Sequence, residues 1–226
     1  LKSIKLIAFD LDGTLLDSVP DLAVAADQAA RAVGYPAVSE AQVRDYVGNG
    51  ADVLIARALS QSLTINPELS PELRAQARHL FDEFYEQTGH KLSHLYPNVK
   101  TTLLELHQAG FILALVTNKP SKFVPDVLEQ HGIAHFFSDV IGGDTFPNKK
   151  PDPMALNWLL EKHQLSAEQM LIVGDSKNDI LAAKNAGCYS FGLTYGYNHG
   201  EPIANAEPDF VSDDIGTLLE VVLVSA

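Results

Sequence analysis

Apolar and polar positions along this chain of 226 residues follow two alternating patterns, and their order predicts the architecture. Short, nearly unbroken apolar runs, Lys5 to Phe9 and Ile112 to Val116 foremost, read as strands buried on both faces. Further strands are predicted at Asp139–Gly142, Met170–Val173, Ser190–Thr194 and Phe210–Ser212. Helix-period stretches separate them, the signature of a parallel sheet with helices packed over it. The rhythm is interrupted once. Between Thr14 and Ile112 no second strand is predicted; Leu22, Ala26, Ala29 and Val33 recur at helical spacing, and further helical stretches follow around 39–47, 51–63 and 71–88. Gly34, Gly48, Gly50 and Pro71 punctuate this insertion, and Gly89 to Pro97 reads as the return linker. Pro97 then opens a helix with Val99, Leu103 and Leu106 on one face, ended by Gly110. The expected class is α/β, with a core from residues 1–16 and 90–226 and a helical insertion at 17–89.

Composition narrows the setting. With 46% hydrophobic residues the chain has enough apolar material for a sizeable core. It contains neither a long uncharged apolar run nor a basic-then-apolar leader, so a soluble, cytoplasmic protein without a membrane partner is expected. The 29 acids outweigh 16 Lys plus Arg, a net charge of -13 that argues against a nucleic-acid partner. A small anion remains admissible, because distant surface charge is screened beyond about 10 Å. Cys188 is the only cysteine, which excludes an internal disulfide and a thiolate metal cluster; it reads as a small buried hydrophobe.

The candidate chemistry gathers where the strands stop. Asp10-Leu11-Asp12-Gly13-Thr14 follows the first apolar run, at the carboxyl end of a strand, where open α/β sheets bind ligands. Two acids beside a buried strand are costly unless a cation or a reaction uses them. Gly13 permits a sharp turn that brings backbone N–H groups towards an anion. Thr117-Asn118-Lys119, the stretch Asn148 to Pro153, and Gly174 to Asp179 occupy the other strand ends. Together they offer carboxylates for a hard divalent metal, and a hydroxyl and a lysine for phosphate. Each residue also has a plain reading. Asp12 before Gly13 is a common turn pair, Ser176 with Asp179 resembles a capping box, and Lys119, Lys149 and Lys177 read as solvated lysines. The eight histidines lack metal-ligand spacing.

These clusters, in this order and over essentially the whole chain, resemble the four motifs of the haloacid dehalogenase superfamily. The resemblance implies a Rossmann-like core whose helical insertion is a cap governing substrate specificity and closure. It assigns Asp10 as nucleophile and Asp12 as acid and base, with Thr117 binding a phosphoryl oxygen and Lys150 offsetting charge. Asp10, Asp175 and the backbone carbonyl of Asp12 would hold Mg2+. Asp179 falls behind them, orienting Lys150 or a metal-bound water. Gly13, Thr14 and Asn118 join Thr117 and Lys150 at the substrate. The Tyr46 to Gly50 stretch, the Asn148 to Pro153 stretch and Leu193 to Tyr197 are most similar to the bacterial branch acting on 2-phosphoglycolate. Gly48, Asn49 and Gly50 are then expected to bind its carboxylate, with Arg57 placed too far along the following helix to reach it. The implied activity is a magnesium-dependent phosphatase of a small phosphate ester, working through an aspartyl-phosphate.

Sibling activities share these residues. Asp12 and the acidic pair argue against a dehalogenase, whereas a β-phosphoglucomutase, or a phosphatase for another small ester, keeps all six motif residues. The alternative from another class is a phospho-receiver or binding module, which lacks a cap. A monomer or small homo-oligomer is expected.

Overall fold

The computed structural model describes residues 3–223, so residues 1–2 and 224–226, at the ends of the expected core range, lie outside the described residues. The chain begins with strand β1 (Leu6–Phe9) and a short β2 (Leu16–Asp17). Four helices follow: α1 (Val19–Ala32), α2 (Glu40–Tyr46), α3 (Ala51–Ser60) and α4 (Pro71–Thr88). After β3 (His94–Leu95) come α5 (Val99–Gln108), β4 (Ile112–Val116), α6 (Val124–Gln130), β5 (Asp139–Ile141) and α7 (Met154–His163). The chain closes with β6 (Met170–Gly174), α8 (Lys177–Ala186), β7 (Tyr189–Leu193), β8 (Phe210–Ser212) and α9 (Leu218–Val222).

Six strands form one parallel sheet in the order β5-β4-β1-β6-β7-β8. Side chains alternate across it. Ile7, Phe9, Leu113, Leu115, Leu171 and Val173 meet Leu103 and Leu106 of α5 and Val127 of α6 on one face. Leu6, Ala8, Ala114, Val116 and Ile172 meet Leu156 and Leu159 of α7 and Ala182 of α8 on the other. Because both faces are covered, the central strands β1, β4 and β6 are apolar throughout, and that is why their runs were unbroken in the sequence. The α/β class with helices on both faces is borne out. β1 lies at the centre with β4 and β6 on either side, so its carboxyl end sits at the switch point of the sheet.

Helices α1–α4 bury a second apolar cluster in which Leu22, Ala26 and Ala29 of α1 face Ala77, Phe81 and Tyr85 of α4. Phe123 and Tyr197 from the sheet side join this cluster, tying the helical layer down over the strand ends. Among the described residues, no helix is long and apolar enough to cross a membrane.

Three boundaries differ from expectation. Leu16–Asp17 pairs antiparallel with His94–Leu95, a two-residue ribbon where the helical layer leaves and rejoins the core. A ribbon that short has no periodicity to read. Helix α5 begins at Val99 and not at Pro97, because Asn98 holds φ +63°, outside the helical region. Helix α3 stops at Ser60, capped by Gln61 in the left-handed region at φ +51°.

Candidate active site

Three strand ends deliver the polar groups. Asp10 leaves β1 and donates its N–H to the Val173 carbonyl at 3.0 Å, which fixes it beside β6. Thr117 leaves β4 and donates its N–H to Ile141 at 3.0 Å. Asp175 follows β6. Asp10, Thr117, Lys150, Asp175 and Asp179 are all buried. The structure brings these five distant positions together, as the motif order implied.

At the centre, carboxylate oxygens of Asp10, Asp175 and Asp179 all lie within 4.8 Å of one another. Lys150 Nζ stands 3.0 Å from Asp10 Oδ1 and 2.6 Å from Asp179 Oδ1, and donates to the Val116 carbonyl at 2.6 Å. Its ammonium is directed at the latter two, leaving Asp10 Oδ1 buried without an aligned hydrogen bond. One ammonium does not balance three buried carboxylates. Burial pushes Asp10 up to about 6, with Lys150 opposing and the charges of Asp179 and Asp12 adding. Burial, then Asp179 and Asp10, raise Asp175 well above the usual carboxylate range, although the Thr14 hydroxyl and the Tyr197 N–H oppose this. Lys150 is held above its ordinary value, since Asp10 and Asp179 outweigh its own burial. An orphaned carboxylate oxygen, an excess of negative charge and an all-oxygen donor set fit a hard divalent cation.

Asp179 satisfies both readings of its sequence position. Its Oδ2 accepts from Ser176 N–H at 3.1 Å and Ser176 Oγ at 2.9 Å, forming the capping box of α8, while Oδ1 holds Lys150. It thereby locks the lysine onto the helix that follows β6.

Asp12 points elsewhere. Both its oxygens face Lys119 Nζ, at 3.0 and 3.2 Å, and its carboxylate stands outside the three-acid cluster. Lys119 therefore corrects the expectation of a solvated lysine: it is 5% exposed and lies 4.7 Å above the ring centroid of Tyr85 from α4. Its ammonium is held charged, because Asp12 and then Tyr85 outweigh burial.

The loop after β1 acts on Asp175. Thr14 Oγ1 donates to Asp175 Oδ1 at 2.6 Å, so the hydroxyl expected at an anionic ligand is engaged with a carboxylate instead. Tyr197 N–H donates to Asp175 Oδ2 at 2.5 Å, and Tyr195 Oη donates to the Thr14 carbonyl at 2.7 Å. Gly13 has φ +89°, and a Cβ there would lie 2.3 Å from Asp175 Oδ2. We expect Gly13→Ala to displace Asp175. Differential scanning should then show the loss of most of the stabilisation that a millimolar divalent cation confers on the wild type, which is about 3 kcal/mol at a hundredfold excess over Kd.

Thr117 Oγ1 accepts from Lys119 N–H at 3.2 Å, which leaves its proton to be donated to a ligand. Asn118 borders the cavity over Asp10. Its amide donates to the Gly48 carbonyl and the Lys150 carbonyl, each at 3.0 Å, and so fastens the helical layer to the core. Asn178 donates to the same Gly48 oxygen at 3.1 Å. Asn49 Oδ1 accepts from Arg57 Nη1 at 2.9 Å, so its side chain serves the loop. Arg57 also donates to the Tyr46 carbonyl at 2.8 Å, bracing residues 46–50 rather than approaching the strand ends. Gly48 and Gly50, by contrast, border the cavity that lies over Asp10.

That cavity, about 40 Å3, lies between the two layers. Asp10, Asp12, Thr117 and Lys119 form its polar end, and Leu22, Leu54, Phe81 and Phe123 its apolar walls. Cys188 lies apart among apolar side chains on the opposite face of the sheet, its thiol pushed up to about 12 by burial, in keeping with an inert structural cysteine.

Residues 7–193 match the haloacid dehalogenase-like hydrolase family, a span that takes in every motif residue described above. The chain belongs to this family. The hydrolase is 99% identical to the phosphoglycolate phosphatase of Vibrio cholerae serotype O1, with all of both chains covered. It is 50% identical to that of Yersinia pseudotuberculosis over 221 residues, 98% of this chain and 94% of the relative. A crystal structure of a predicted phosphoglycolate phosphatase from Haemophilus somnus 129pt superposes with a TM-score of 0.91 at 44% identity, covering 98% of this hydrolase and 99% of that chain. The family assignment favours a hydrolase over a receiver or binding module, and the helical layer over the strand ends agrees with a cap.

Sequence reasoning missed Lys119, Tyr85 and the grip of Tyr197 on Asp175. Only the Thr-Asn-Lys cluster at a strand end carried a signal for the first of these.

Proposed function

We propose that this hydrolase converts 2-phosphoglycolate to glycolate and phosphate, using Mg2+ held by the carboxylates of Asp10 and Asp175 and the carbonyl of Asp12. The observation that carries this reading is identity of 99% along the full length to a relative bearing the name phosphoglycolate phosphatase. The same name borne by the Yersinia pseudotuberculosis relative is the reason to set the mutase alternative second.

In this reading Asp10 attacks phosphorus through a carboxylate oxygen, and the bond from phosphorus to the ester oxygen breaks. Asp12 gives its proton to the departing glycolate oxygen. Thr117 donates its free hydroxyl proton to a phosphoryl oxygen, and Lys150 offsets charge on Asp10 as the aspartyl-phosphate forms. Water then attacks the phosphorus of that intermediate, Asp12 takes the proton back, and phosphate leaves with the Asp10 carboxylate restored. Magnesium, when bound, supplies positive charge against which the phosphoryl oxygens and Asp10 approach each other. Asp179 keeps Lys150 aimed. Gly48 and Gly50 form the cap side of the substrate cavity.

A substrate panel tests the assignment. We expect kcat/KM for 2-phosphoglycolate to exceed that for p-nitrophenyl phosphate, and for β-glucose 1-phosphate with a trace of the 1,6-bisphosphate, by about tenfold or more. Another ester with a clearly higher kcat/KM, or formation of glucose 6-phosphate as the fastest reaction, would overturn it.

A further inference from the structure

The 2-phosphoglycolate reading needs a charged partner for the substrate carboxylate that neither the phosphate-binding residues nor the uncharged Gly48 to Gly50 loop supplies. Lys150 is engaged by Asp10, Asp179 and the Val116 carbonyl and does not border the cavity. Arg57 is engaged by Tyr46 and Asn49. Among the described residues bordering the cavity, Lys119 is the only basic one.

We propose that the substrate carboxylate is received by Lys119 Nζ from the core and Tyr85 Oη from the cap, making these two residues the determinants of specificity. The proposal rests on the phosphoglycolate reading and adds the site that distinguishes this ester from uncharged ones. Two independent features support it. The first is Tyr85 itself, which is 1% exposed and borders the cavity, and whose hydroxyl makes no aligned hydrogen bond and has only the Lys119 ammonium, a donor, beside it. Its ring is fixed by stacking on Phe81 at 5.6 Å and by edge contacts with Phe123 at 5.0 Å and His90 at 4.9 Å. A rigid, buried donor with nothing to donate to is unfavourable until an acceptor arrives. Burial pushes its phenol up to about 12, so it remains a donor at neutral pH.

The second feature is the placement of Lys119 beside Asp12, at 3.0 and 3.2 Å. An ammonium carries three protons, and Asp12 engages at most two of them. In 2-phosphoglycolate the carboxylate carbon is two bonds from the ester oxygen, and the proposed mechanism places that oxygen next to Asp12. A carboxylate so close to the proton donor falls within reach of the ammonium held against that donor. Because Lys119 follows β4 and Tyr85 belongs to α4, one carboxylate bridging them is fully bound only with the cap over the core. An ester without a carboxylate leaves the phenol unsatisfied.

The test compares 2-phosphoglycolate with isobutyl phosphate, which has a similar shape and no carboxylate. Lys119→Met should lower the ratio of the two kcat/KM values by about a hundredfold, and Tyr85→Phe by about tenfold, with the loss on phosphoglycolate falling mainly on KM. Tyr85→Phe keeps the ring and removes only the hydroxyl, so it remains informative should the lysine variant fold poorly. A ratio within about twofold of wild type in either folded variant overturns the inference. If the wild type itself shows no preference for phosphoglycolate over isobutyl phosphate, the substrate assignment fails along with it. A wild-type preference that survives both substitutions overturns the inference alone.

Discussion

Asp10→Asn should lower turnover of 2-phosphoglycolate by about 10,000-fold or more while leaving the fold intact. The carboxamide has nearly the same shape, keeps the backbone bond to Val173 and lacks the attacking charge. Its effect on stability separates this variant from a misfolded one. Asp10 is a buried carboxylate whose charge is disfavoured by burial and by Asp179 and Asp12, with Lys150 as its main counterweight and the Leu11 N–H as a smaller one. Neutralising it relieves that repulsion, and Lys150 keeps Asp179 at 2.6 Å. In the absence of a divalent cation, Asp10→Asn should therefore melt no lower than the wild type. Activity near the wild-type level would remove Asp10 from the nucleophile's role.

Chelation should abolish hydrolysis, and added magnesium should restore it, with a pH dependence of defined sign. In the cation-free protein Asp10 sits at about 6, above its ordinary 3.8, and Asp175 is raised well above the same value, in both cases by burial first. A carboxylate with a raised pKa in the folded state binds protons there that the unfolded chain does not. As pH falls through about 6 towards about 4, these two groups therefore make the cation-free fold more stable. The same protons compete with the cation. The rise in Tm produced by millimolar magnesium should be large near pH 8 and should shrink steadily as the pH is lowered to about 5. A rise in Tm independent of pH, or full activity in chelator, would contradict the three-acid cation site.

The sheet was legible because its strands are covered on both faces, which forces unbroken apolar runs such as Leu6–Phe9 and Met170–Gly174. The helical layer was legible because α1 and α4 bury one face each, and the spacing of Leu22, Ala26 and Ala29 records it. The ribbon of Leu16–Asp17 with His94–Leu95 was not, since its order comes from pairing across the chain rather than from local pattern. Within the site, Asp10, Thr117 and Asp175 were legible because each follows a strand converging on one edge of the sheet, whereas Lys150, in the loop between β5 and α7, was legible from its place directly before Pro151 in the motif. The directions of side chains were less so. Thr14 turns to Asp175, Asn118 to Gly48 and Asn49 to Arg57, choices set by partners far away in sequence. Lys119 is the sharpest case. Its burial depends on Asp12, 107 positions earlier, and on a ring delivered by α4. Neither partner is visible from a Thr-Asn-Lys triplet read alone.

In the proposed reaction, phosphate from 2-phosphoglycolate passes through Asp10. Rapid mixing of the magnesium-loaded protein with labelled 2-phosphoglycolate, acid quenching within the first turnover, and mapping of the labelled peptide tests it most directly. We expect transient phosphate on Asp10, sensitive to hydroxylamine as an acyl phosphate must be, and none in Asp10→Asn. Label on another residue, or hydrolysis of phosphoglycolate with no labelled protein at any time within the first turnover, would contradict it.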